Sequence, residues 1–365
     1  MKKLLLVLFF TVFAFSAAAQ MKFIHPGGIS NRADLEFVKD KIRDGKQPWS
    51  KAFDEVKSLA TVGQTTSVPR ATGDQRHEAR KAYANALAWY FTGKTIYARQ
   101  AIAILNVWGR TFKGYSPIEG QNQLEAGWVG AILAPSAEIM RNYSGWKQSD
   151  QAKLRSMFKK AFYPALVKMS VWNGNVDLTQ IDALINIAVF NEDKDGFDLA
   201  VSRFMKRVPA YFYQVSDGRA PNIAGDGANI DHFWNYPLKW VDGLTQETCR
   251  DNNHHAQYAL ASVLHSAEVA WNQGLDLYTP NSKRFTDTME LMALQITSKS
   301  MQGTCKNDTT SSTILNTWEI GYNHYHSRKR INLPNTAKLL SDLVRSKGVS
   351  NLNVFFETLT HGRES

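Results

Sequence analysis

An all-α fold, an (α/α) toroid of helix hairpins around a central cleft, is what this sequence predicts. Three observations carry that expectation. Apolar residues recur at spacings of three and four along most of the chain. Strict apolar/polar alternation, the mark of half-buried strands, is scarce. Two amphipathic segments, 79–93 and 95–110, meet at Gly93, and so tight a turn joins an antiparallel helix pair.

The elements follow in order. "MKKLLLVLFFTVFAFSAAAQ" has a basic start, an apolar run and a small-residue end. It reads as a secretory signal peptide cut after Ala19, which sends the chain to the periplasm or out of the cell. The run is short for a membrane span, no cysteine follows it for a lipid anchor, and no later stretch is apolar enough to span a bilayer. No membrane insertion is therefore expected once residues 1–19 are gone. Residues 20–365 read as one toroidal catalytic domain. Helices are expected from Ser30 to Ile42, at the pair above, and near 122–142, 149–170, 178–190, 255–273, 284–300 and 334–346. In the 178–190 helix, Asp177 caps the start and Gln180 follows three residues on. The longest irregular stretch, 214–232, is rich in Gly and Asp and reads as a functional loop.

Removing Lys2 and Lys3 takes the formal charge from +10 to +8. A basic exported protein suits an acidic partner. Cys249 and Cys305 are the two cysteines, and in an exported chain they are expected to be bonded. No spacing resembles a zinc site, and no cofactor is expected.

Three constellations carry chemistry. In "ETCRDNNHHAQYALASVLHSAEVAW", residues 247–271, Ala259, Leu260, Val263, Leu264, Ala267, Ala270 and Trp271 form an apolar helix face. His255 and Tyr258 lie on another face, three residues apart and so side by side. His254 adjoins them, and Arg250 precedes them with a fork of donors suited to a carboxylate. The bland alternative is that the two histidines only help start the helix. The second constellation is Trp172, Asn173, Gly174 and Asn175, where an Asn amide can point into a cleft or simply form a turn. The third, 316–335, packs Tyr322, His324, His326, Arg328 and Arg330 close together. It suits a charged sugar. No RNA-binding motif accompanies it, and no nucleic acid is expected.

"HPGGISNRADLEFVKDKIRDGKQPW", "RDNNHHAQYALASVLHSAEVAWNQGLDLY" and "WEIGYNHYHSRKRINLPN" together resemble the alginate lyase superfamily of polysaccharide lyases, in its secreted glucuronan- and alginate-cleaving branch. The resemblance implies an (α/α) toroid, an acidic polysaccharide substrate, β-elimination at a 1,4-linked uronate, and no obligatory metal. A monomer is expected. The best-known members carry Asn-Asn-His, with the His beside the neutralising Asn. Here the matching place reads Asn173-Gly174-Asn175, while Asn252-Asn253-His254 spells the run ahead of another helix. The base role is thus expected of His255 or His254. Asn175 and Arg250 are expected to stabilise the charge that develops on the carboxylate. Tyr322 is expected as the acid, with Tyr258 in reserve. Arg328 would hold a neighbouring carboxylate, and Trp172, Tyr258 and His324 would line the sugar path. The rivals are a glycoside hydrolase using two of Glu125, Asp226 and Asp231, and a glycan-binding protein without turnover.

Overall fold

A computed structural model describes residues 21–60, 67–219, 221–225 and 233–363. The signal segment, Asp226 and Asp231 lie outside these residues. Among the described residues there is no sheet, only isolated bridges such as Gly27 with Asn31.

Helices α1 (Arg32–Arg43) and α2 (Trp49–Leu59) lead into four hairpins. These pair α3 (Thr72–Thr92) with α4 (Thr95–Thr111), and α5 (Gln121–Met140) with α6 (Gln148–Met157). They then pair α7 (Gly174–Asn191) with α8 (Lys194–Tyr211), and α9 (His254–Asn272) with α10 (Ser282–Ser298). Shorter α11 (Glu319–Tyr322), α12 (Pro334–Leu339) and α13 (Glu357–His361) complete the chain.

Side-chain character sorts the helices into two layers. In α5 every residue from Gln123 to Met140 is buried, and in α7 every residue from Gly174 to Phe190. Helices buried all round belong inside. α4, α8 and α10 bury one face only, so they form the outer wall. Neighbouring inner helices α3, α5, α7 and α9 pack in that order, which is the toroid. Gly127 on α5 lets α7 approach closely, since a Cβ there would lie 2.6 Å from the Thr179 side chain and 3.0 Å from its backbone.

The expected hairpin at Gly93 forms, with that glycine left-handed at φ 68°. Other boundaries differ. α7 begins at Gly174, and its cap is Asn173, whose side chain accepts from the Val176 amide. Asp177 does not cap; it is buried within the first turn and receives Arg207 Nε at 2.7 Å and Arg203 Nε at 3.1 Å. α2 and α8 were not foreseen. The stretch 149–170 is α6 followed by a π turn, Phe158–Phe162, and a last helical turn, Tyr163–Leu166.

Consecutive inner helices run the same way, because each hairpin reverses the chain twice. The starts of α5, α7 and α9 therefore gather at one end of the toroid. Each helix start carries about half a positive charge, so this end suits an anion.

Candidate active site

A cleft of about 440 Å³ opens at that end. Gln121, Leu124 and Trp128 from α5 line it, with Trp172, Asn173, Asn175 and Val176 from the start of α7. Phe233 and Asn235 close one side, and Glu247, Arg250 and His255 enter from the start of α9.

The chain turns sharply into α9. Asn252 and Asn253 are both left-handed, at φ 55° and 74°, a conformation that Asn tolerates better than most side chains. Asn253 donates to Gln295 of α10 at 2.7 Å, and the Asn252 side chain reaches the Thr309 carbonyl. Both asparagines are thus engaged by the protein. A disulfide joins Cys249 to Cys305, as expected, and ties this turn to the segment after α10.

Asp251 orients the histidine. Its carboxylate accepts the His255 amide at 3.0 Å and pairs with Nδ1 of the ring. With Nδ1–H given to Asp251, Nε2 carries the lone pair, and it has no protein partner among the described residues. Burial alone would raise the Asp251 carboxyl, but the His255 hydrogen bonds hold it below the ordinary range. Glu247 is buried, and burial raises its carboxyl. It accepts the Tyr211 hydroxyl at 2.6 Å and Arg250 Nη1 at 2.5 Å, which fixes a partly exposed guanidinium at the cleft.

Asn175 is 4% exposed, and its Oδ1 is buried with no hydrogen-bond partner among the described residues. Gly174 makes this turn possible. Its amide donates to Gln246 Oε1 at 2.7 Å, and a Cβ would lie 2.4 Å from the Tyr211 ring. Trp172 stands at the rim, 52% exposed. Tyr258, one turn into α9, faces His255 at 6.2 Å and His254 at 5.4 Å between ring centroids. Burial raises the Tyr258 phenol, and burial lowers the His254 ring.

A family model described as alginate lyase matches residues 31–301. The chain belongs to the alginate lyase family. Alginate lyase A1-III from Sphingomonas species A1 has a similar fold, with a TM-score of 0.64 at 14% identity over 93% of this chain and 96% of that one. A variant of A1-III complexed with a tetrasaccharide is as similar, with a TM-score of 0.64 at 13% identity, covering 93% and 95%. An alginate lyase from Bacteroides ovatus gives 0.53 at 12% identity, covering 75% and 84%. No curated protein matches. The fold is the expected (α/α) toroid, and the chain is a polysaccharide lyase, which breaks a carbon–oxygen bond.

The third constellation lies elsewhere in this lyase. Arg328 holds buried Glu268 by two hydrogen bonds, 3.0 and 2.7 Å. Glu268 is thirteen residues along α9 from His255, which at 1.5 Å per residue is about 20 Å. His324 is fully buried and stacks on Tyr278 at 3.7 Å. Tyr322 is buried against His326, 4.6 Å away. None of the three lines the cleft. A buried Glu268 requires a cation, and that need takes Arg328 from the substrate. Glu125 is likewise engaged, by Arg76 and by Gln121 at 3.0 Å.

Of the residues the sequence singles out, Trp172, Asn175, Arg250 and His255 line the cleft, while His254 and Tyr258 do not line it but pack against the His255 ring. Sequence reasoning gave no role to Asp251 or Glu247. The Asp251 to His255 spacing of four on a helix start was the available signal. Asp34, Glu268 and His361 approach one another closely enough to hold a cation. Arg328 and Arg363 already neutralise the two carboxylates, so this lyase has little charge there for a metal.

Proposed function

We propose that this chain is a secreted, monomeric lyase that cleaves 1,4-linked polyuronates, glucuronan or alginate, by β-elimination. The observation that carries the reading is the oriented His255–Asp251 pair facing the Asn175 amide and Arg250 across one cleft. An ionised carboxylate leaves the C5 proton poorly acidic. Asn175 and Arg250 bind that carboxylate and stabilise the charge it gains as the proton leaves. His255 Nε2 takes the C5 proton. The electron pair forms the C4–C5 double bond, and the C4–O4 bond breaks. Tyr258 gives its phenolic proton to the departing O4. Its raised pKa keeps that proton in place until it is needed. The acid role thus moves from Tyr322 to Tyr258. His254 packs edge-on against Tyr258 and holds its ring. Trp172 offers a face for a sugar ring at the rim.

Cleavage is tested with pure polymannuronate, polyguluronate and glucuronan, following ultraviolet absorbance of the unsaturated product. Absorbance should rise on at least one polymer. Products that carry water at the cut and no double bond would overturn the reading. Export is tested by the mature N-terminus, expected at Gln20 in protein recovered from the periplasm or medium.

A further inference from the structure

Arg76 and Arg80 lie one turn apart on α3, on the same face and at the cleft end of the toroid. They are not equivalent. Arg76 is neutralised by Glu125, and its guanidinium lies 5.2 Å over the ring of Trp128, a cleft residue. Arg80 is half-buried, and no carboxylate among the described residues hydrogen-bonds to it. Its Nη2 reaches the Leu352 carbonyl at 3.5 Å, and its Nε is buried without a hydrogen-bond partner among the described residues. The guanidinium lies 5.4 Å over Phe355. Burial and the like charge of Arg76 both act against its positive form, while Glu55 helps only through space.

The position of this charge is informative. Leu352 packs against two apolar clusters, that of Leu124, Trp128 and Val176 in the cleft wall and that of Tyr258, Ala261, Leu315 and Val354. Arg80, whose Nη2 reaches the Leu352 carbonyl, is therefore next to the residue that packs against both clusters. Tyr258 itself feels the charges of Arg80 and Arg76. A partly desolvated guanidinium with open donors is stabilised by a bidentate anion such as a carboxylate. A polyuronate brings one carboxylate on every sugar.

We infer that Arg80, backed by Arg76, is the subsite for the carboxylate of the sugar that leaves with O4. This rests on the polyuronate reading above and adds a second carboxylate contact to it. It fills the role expected of Arg328. Arg80 touches no reacting atom; it sets the position of the leaving sugar beside Tyr258.

Binding tests this apart from turnover. Tetramers of mannuronate, guluronate and glucuronate, and their methyl esters, are titrated by calorimetry into His255→Ala protein with and without Arg80→Gln. For the acid form that binds, Arg80→Gln should raise Kd about 10- to 100-fold, the effect of a charged hydrogen bond. For the ester the change should stay within about 3-fold. Arg80→Lys, which keeps the charge and the packing over Phe355, should fall between and serves where Arg80→Gln does not fold. An unchanged Kd for the acid tetramer in Arg80→Gln and Arg80→Lys, or equal losses for acid and ester, would overturn the subsite and leave the lyase reading standing. Acid-selective loss without unsaturated products would keep the subsite and sink the elimination. Failure of all three acids to bind would sink both.

Discussion

At the scale of single residues, the proposed reaction distinguishes side chains that would touch substrate from those that position them. His255→Ala should lower kcat about 10²- to 10⁴-fold, the range for loss of a general base, with KM little changed. Asp251→Asn should leave Tm and KM near wild type yet lower kcat strongly, because an amide no longer selects the tautomer with its lone pair on Nε2. A residue that merely started the helix would show the opposite, lost stability with normal kcat. The two tyrosines make a second pair. Tyr258→Phe should cost about 10²-fold or more in kcat. Tyr322→Phe, buried against His326, should keep kcat within about 3-fold. A reversal of that order in steady-state kinetics would return the acid role to Tyr322. These contrasts show what was readable from the chain. His254, His255 and Tyr258 share one helix turn, so their proximity follows from spacing alone. Arg328 and His324 look as chemically rich, but their partners Glu268 and Tyr278 come from other elements. No local pattern announces such partners.

At the scale of elements, helix starts place the chemistry, and glycines decide how closely elements approach. Gly174 has no room for a methyl group between Tyr211 and Gln246. Gly174→Ala should destabilise by about 1–3 kcal/mol, the usual cost of overpacking. It should also lower kcat, because the displaced turn carries Asn175. Denaturant unfolding and single-turnover kinetics measure the two effects separately. The sequence made the hairpin at Gly93 legible, because a left-handed glycine ends a helix. It misplaced the start of α7, because Asp177 resembles a cap while serving as the buried partner of Arg203 and Arg207. α8 escaped notice for a related reason: it carries those two arginines on its inner side, where an apolar stripe would be expected. Polar residues that are satisfied only by tertiary contacts blur helical periodicity.

At the scale of the whole molecule, buried charge ties stability to pH. His265 on α9 lies between Asp182 Oδ2 at 3.0 Å and Glu357 Oε1 at 2.9 Å, joining α7, α9 and α13. Burial alone would lower this imidazole. The two carboxylates outweigh burial and hold it up to about 10. A folded-state value above the ordinary 6.5 means that the folded protein binds the extra proton. The resulting stability is complete below about pH 6.5 and is lost as pH rises toward 10. Unfolding free energy should therefore fall between pH 7 and 10, and His265→Gln, though less stable overall, should show a shallower slope. An identical slope in the two proteins would remove His265 as the cause.

The disulfide acts at the same scale and also reaches the site. Cys249 and Cys305 are 56 residues apart, and closing such a loop removes unfolded-state entropy worth about 4 kcal/mol. Cys249→Ser with Cys305→Ser should lower the denaturant-derived unfolding free energy by up to that amount, since native strain usually takes back a part. The bond also anchors the turn in which the Arg250 amide donates to the Glu247 carbonyl at 3.2 Å, while the two side chains pair at 2.5 Å. Without the anchor, Arg250 should lose the fixed position from which, in the proposed reaction, it binds the carboxylate at C5. Positioning errors of about 1 Å can cost 10²-fold in rate. The folded double variant, assayed well below its melting temperature, should therefore lose kcat more than it gains KM. Arg250→Ala in the same background should then cost less than it does in the intact protein, because part of its contribution is already gone. Additive losses from the two changes would mean that the bond stabilises the fold without positioning the arginine.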